Sequence, residues 1–126
     1  MRTPTLVHNE DNAERRSNVR LKVEIRVYYG DHHSKLLSGY SVDLSIGGVF
    51  LVTTYPFKVD DNVILKLSIP GQEEKSVSCD ARVAWINFEA NPLKPEYPPG
   101  VGLQIKDLAM EDLQSIASYL EIEAVW

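Results

Sequence analysis

The stretch Leu21-Lys22-Val23-Glu24-Ile25-Arg26-Val27-Tyr28-Tyr29 decides the fold class. Leu21, Val23, Ile25, Val27 and Tyr29 share one face of an extended chain, and Lys22, Glu24, Arg26 and Tyr28 share the other. That is the period of a half-buried strand. Gly30-Asp31 and the polar residues after it form a turn. The same pattern continues outward along the chain. Leu36, Tyr40, Val42 and Leu44 make a second alternating run, which stops at Ser45-Ile46-Gly47-Gly48. Val49-Phe50-Leu51-Val52 resumes strand character at once, so the two runs form a hairpin with a short, Gly-containing connection.

After a break at Pro56 and Asp60-Asp61-Asn62, a strand carries Val63, Leu65, Leu67 and Ile69. Pro70-Gly71 turns the chain. The next strand places Val77, Cys79, Ala81, Val83 and Trp85 on one face and Ser76, Ser78, Asp80 and Arg82 on the other. On this reading Trp85 belongs to the core face. Residues Glu89 to Pro99 hold four of the seven prolines and form a loop. Val101, Leu103 and Ile105 make a last strand. The period then changes: Leu113, Ile116, Ala117 and Leu120 have the spacing of an amphipathic helix.

Six strands without intervening helices exclude parallel crossovers. The expected fold is mostly β: a small six-stranded antiparallel β-barrel with a C-terminal α-helix, since closure removes exposed edges. Residues 1–14 lack an apolar period and read as a flexible N-terminal arm, leaving 15–126 as a single domain.

Composition narrows the function. The 126 residues carry thirteen Lys plus Arg against eighteen Asp plus Glu, a net charge of -5. A general nucleic-acid coat or a polybasic membrane binder needs a basic face instead. No run approaches the roughly 20 apolar residues of a membrane helix. The N-terminus lacks the apolar run of about 7–15 residues that a signal peptide requires. One cysteine, Cys79, permits no internal disulfide and fits a reducing compartment. The expected setting is the cytoplasm, without membrane insertion.

Charge is unevenly placed. Four of the six arginines, Arg15, Arg16, Arg20 and Arg26, fall within twelve residues. Their planar forks can grip a phosphate or a guanine edge with paired hydrogen bonds, although a solvated basic stretch before a strand has the same composition. Asp43-Leu44-Ser45-Ile46-Gly47-Gly48 is the second feature. Asp43 offers acceptors suited to the N–H donors of guanine, and Ser45 both donates and accepts. Gly48 is expected to turn the chain with positive φ and to admit a ligand close to the backbone. A plain hairpin turn uses the same residue types.

Arg16-x-x-x-Arg20 followed by Asp43-x-Ser45-x-x-Gly48, in this order on a six-strand pattern, resembles the PilZ domain family of bacterial cyclic di-GMP receptors. Val83-Ala84-Trp85 and Gly100-Val101-Gly102-Leu103 add to the likeness, which covers roughly residues 14–121. The resemblance implies that Arg16 and Arg20 hold the guanines and phosphates of cyclic di-GMP. It implies that Asp43 and Ser45 meet the ligand from the barrel surface, with Gly47 and Gly48 shaping the turn. Arg15, directly before the first motif, implies a stacked pair of ligands, two molecules per chain. An unidentified downstream protein would read the change as the arginine segment becomes ordered. The alternative is a PilZ-like interaction module whose output does not depend on nucleotide. A small barrel binding single-stranded nucleic acid would need a basic groove with aromatic platforms.

No other group carries chemistry. His32-His33 sits in a turn and would need distant partners to bind a metal. Asp60-Asp61 and Glu73-Glu74 read as turn charges, and Cys79 as a small core residue. Gly100-Val101-Gly102 lacks the third glycine and following helix of a dinucleotide fingerprint. No nucleophile, base and orienter occur together. The expectation is therefore a binding protein, with no catalytic residue, metal or cofactor beyond the ligand.

Overall fold

Strand β1 (Leu21–Gly30) is the seam that closes the sheet, pairing antiparallel with β2 (Leu37–Leu44) on one side and β4 (Asn62–Ser68) on the other. With β3 (Gly48–Val52), β5 (Ser76–Asn87) and β6 (Gly100–Asp107), the order around the closed barrel is β1-β2-β3-β6-β5-β4. A helix, α1 (Met110–Val125), follows. The computed structural model describes residues 20–32, 34–72, 74 and 76–125. Arg15, Arg16, the proposed arm, His33 and Glu73 lie outside the described residues.

The alternation in β1 works as the sequence reading expects. Ile25, Val27 and Tyr29 are buried, and Lys22, Glu24, Arg26 and Tyr28 are exposed. Val63, Leu65 and Leu67 of β4 and Val77, Cys79, Ala81 and Val83 of β5 complete the interior with Leu44, Val49, Leu51, Val101 and Leu103. Burial raises the Cys79 thiol to about 12, with the Asp80 and Asp112 carboxylates adding to the shift, so it stays a protonated core residue.

Helix α1 begins earlier and runs further than the four-residue stripe implied. Ile116 and Leu120 are buried in the same core, and Tyr119 joins them, whereas Leu113 and Ala117 are only half-buried. Glu111 and Asp112 occupy its first turn, where the helix dipole favours negative charge. Gln72 Nε2 donates to the Ser115 carbonyl at 3.4 Å, tying the β4–β5 turn to the helix.

Of the register shifts in the barrel, one in β2 and one in β5 shape the site. In β2 the register shifts between Ser41 and Asp43: Ser41 faces Leu51 of β3, while Asp43 faces Phe50. The extra residue is a β-bulge. Ser41 therefore points inward, fully buried, and Leu44 is inward again. Tyr40 and Val42, expected on the core face, are exposed and half-buried, respectively. In β5 the register shifts between Val83 and Trp85, which face Leu103 and Gly102 of β6. Ile86 takes the inward phase, packed against the core. Trp85 is thus not in the core, contrary to the sequence reading. The bulge residue Ala84 moves it to the outer face.

Candidate functional site

On the outer face the two bulges bring Asp43, Phe50 and Trp85 together. Phe50 is buried although it points away from the barrel interior. Its ring packs against Trp85 at 5.4 Å between centroids and edge-on against Tyr97 at 4.9 Å. The floor beneath them is glycine. A Cβ on Gly102 would lie 1.8 Å from the Trp85 indole nitrogen, and one on Gly100 would lie 2.9 Å from the Phe50 ring. The two glycines of the Gly100-Val101-Gly102 stretch are therefore seats for aromatic rings rather than a phosphate loop.

Asp43, 2% exposed, is the polar centre of this face. Its Oδ1 accepts from the Phe50 backbone N–H and from Arg20 Nη1, both at 2.9 Å. Its Oδ2 accepts from the Tyr97 hydroxyl at 2.7 Å. Charge-assisted bonds of this kind are among the stronger ones in proteins. Burial, helped by the bond to Asp43, raises the Tyr97 phenol to about 12. The Arg20 side chain remains 43% exposed beside its buried partner.

Ser45 and the glycines build the adjacent wall. The Ser45 hydroxyl accepts from the Gly48 N–H at 3.1 Å and faces the Gly48 carbonyl at 3.2 Å, while the Ser45 N–H donates to that carbonyl at 2.9 Å. Ser45 thus fastens the β2–β3 turn. Gly48 does not have the positive φ expected of it; among the described glycines only Gly71 does. Glycine is required at 48 for another reason: a Cβ there would lie 2.6 Å from the Leu103 carbonyl oxygen. Gly47 has nothing within 4 Å of a would-be Cβ, and its carbonyl accepts from the Ile105 N–H at 2.9 Å.

The loop after β5 forms the remaining wall. Asn87 Nδ2 donates to the carbonyls of Lys94, Tyr97 and Pro98, and its Oδ1 accepts from the Lys94 N–H at 2.8 Å. The Lys94 ammonium sits 4.8 Å from the Tyr97 ring centroid and that of Lys22 5.9 Å away, within cation–π range. Between these walls lies an open cleft of about 400 Å³, lined by Arg20, Gly47, Gly48, Trp85, Lys94 and Gln104 among others. With Asp43 ion-paired to Arg20, Lys94 leaves the cleft with a positive bias suited to an anion that also presents a flat ring.

The sequence-level candidates Arg20, Asp43, Gly47 and Gly48 line this one cleft, and Ser45 holds its turn. Phe50, Trp85, Lys94 and Tyr97 were missed as site residues. The Pro95-Glu96-Tyr97-Pro98-Pro99 run was the available signal for Tyr97, since flanking prolines hold a side chain in a restricted backbone. Among the described residues, no group of three His, Cys, Asp or Glu could hold a metal ion. No described helix is long and apolar enough to cross a membrane.

The family model of the PilZ domain matches residues 14–121. The chain belongs to the PilZ domain family. This is a family of cyclic di-GMP receptors that act as binding and adaptor modules. The PilZ fold of the chain is similar to that of the Bacillus subtilis Inhibitor of motility (MotI/DgrA), with a TM-score of 0.69 and 20% identity. That match covers 83% of this chain and 48% of the other, so the chain spans about half the length of this relative. It is also similar to the PilZ domain of CeSA from a cellulose-synthesizing bacterium, with a TM-score of 0.57 and 16% identity over 83% of this chain and 97% of that one. No curated protein matches the chain.

Proposed function

We propose that this PilZ domain is a receptor for cyclic di-GMP that passes ligand occupancy to a partner protein. The observation that carries this reading is the Arg20–Asp43 pair at the cleft beside Gly47 and Gly48. It joins the last arginine of the first motif to the first residue of the second. Arg16 precedes Arg20 by four residues and Arg15 by five, so they arrive at the same cleft if the segment orders over a bound ligand. The arm of residues 1–14 lies outside the domain of 15–126 in this proposal. Ordering costs about 1–2 kcal/mol per residue of backbone entropy, offset by charge-assisted bonds of about 1.5–3 kcal/mol each.

A stacked pair of ligands concentrates four phosphate charges, and Arg15 supplies a further guanidinium to offset their repulsion. The expected calorimetric stoichiometry is therefore two per chain, with affinity falling as salt rises. Arg15→Leu shifts the count toward one.

A second reading has its own support. Asp43 is already satisfied by three protein donors, as expected of an interaction module whose output does not depend on nucleotide. Filter binding with labelled cyclic di-GMP and with a labelled oligonucleotide separates the readings. The receptor reading expects retention of cyclic di-GMP alone, lost in Arg16→Ala and Arg20→Ala and not restored by lysine. Wild-type affinity in either alanine variant overturns the site assignment.

A further inference from the structure

The loop of residues 88–99 places one hydroxyl on the polar centre of the site. Asp43 Oδ1 is taken by the Phe50 N–H and Arg20, and Oδ2 is taken by Tyr97 alone. At 2% exposure the carboxylate offers an incoming donor little surface while these partners stay, although it borders the cleft. Two adjacent N–H donors, such as those on a guanine edge, need a free carboxylate oxygen. Arg20 and the Phe50 backbone leave them only Oδ2, where Tyr97 already takes one of the two acceptor sites.

We propose that Tyr97 is a latch on the site: its hydroxyl holds the Asp43 oxygen that ligand donors require, so ligand entry and release of the Tyr97 side chain from Asp43 are one event. This rests on the receptor reading of the same cleft and adds that the site is closed at rest. The loop is built for such a role. The buried Asn87 side chain holds the loop at the Lys94, Tyr97 and Pro98 backbones, so the Tyr97 side chain can swing while its backbone stays in place. The hydroxyl that reaches Asp43 belongs to one of these anchored residues, Tyr97. The phenol, raised to about 12, remains a donor through neutral and mildly alkaline pH. Once swung aside, the ring leaves the cleft face of Phe50 and Trp85 free to meet a flat base.

A site open only part of the time binds with its affinity reduced by the open fraction. Tyr97→Phe removes the hydroxyl and keeps the ring that packs on Phe50, so it raises the open fraction without emptying the outer face. Calorimetry of the wild type and Tyr97→Phe with cyclic di-GMP tests this. The variant should bind roughly tenfold tighter, the scale of one hydrogen bond to a charged group, with unchanged stoichiometry. The Tyr97 ring resonances of the wild type should shift as the ligand saturates. If wild type binds and the variant binds equally or more weakly, the latch is overturned and the receptor reading stands. Tyr97 ring resonances that do not move at saturation also overturn it. If neither protein binds, the receptor reading fails and the latch with it. Binding by the variant alone supports the latch in its strongest form.

Discussion

The interior of the barrel and its outer aromatic face are built from the same strands under different rules. Inside, Val27, Leu65, Leu67, Ala81 and Val83 follow one another in strict alternation, and the lone orphan polar atom among the described residues is the Ser41 hydroxyl. Outside, Asp43 and Trp85 occupy their places because β2 and β5 each carry one residue too many. Regular pairing maximises apolar burial. A bulge gives up one pairing and re-aims the side chains that follow. The interior therefore carries stability, and the outer face carries a polar group on which a hairpin neighbour, Phe50, and two distant residues, Arg20 and Tyr97, converge.

Substitutions can break this division, and the largest effect belongs to the interior. Leu65→Ala, at a position with no exposure, should lose about 2–5 kcal/mol in urea unfolding, the cost of lost burial plus a cavity. Nucleotide affinity of the remaining folded protein should be unchanged. Asp43→Ala should cost about 1–3 kcal/mol, because the buried Phe50 N–H loses its acceptor. It should also remove nucleotide binding.

Arg20→Ala sharpens the contrast. The guanidinium is 43% exposed, and Asp43 keeps the Phe50 and Tyr97 donors. The stability loss should stay below that of Asp43→Ala, while filter binding of cyclic di-GMP is lost. The smallest effect is a gain. Ser41→Ala removes a buried hydroxyl without a partner and should raise stability by up to about 1 kcal/mol in the same urea assay. A loss there would mean that the hydroxyl is satisfied in solution.

Much of this was legible in the sequence, and the remainder was hidden for physical reasons. The six strands, their turns and the closing helix follow from periodicity, because one buried face imposes a period of two along each strand. Arg20, Asp43, Gly47 and Gly48 were legible as residue types at a spacing. The phase of β2 after Ser41 and of β5 after Val83 was not, because an added residue leaves no compositional mark. That is why Trp85 read as core. Tyr97 stayed hidden because its partner Asp43 is 54 residues away. Gly48 was right for the wrong reason: its need is room for the Leu103 carbonyl, a contact made only when β3 and β6 pair.

Cyclic di-GMP is expected to bind on the outer face without disturbing the interior. An NMR titration of the amide spectrum reads both regions at once. Saturable shifts should concentrate at Arg20, Asp43, Gly47, Gly48, Phe50 and Tyr97, with Val27, Leu65 and Val83 unmoved. A spectrum that does not change at millimolar ligand, or that changes only in the interior residues, would contradict it.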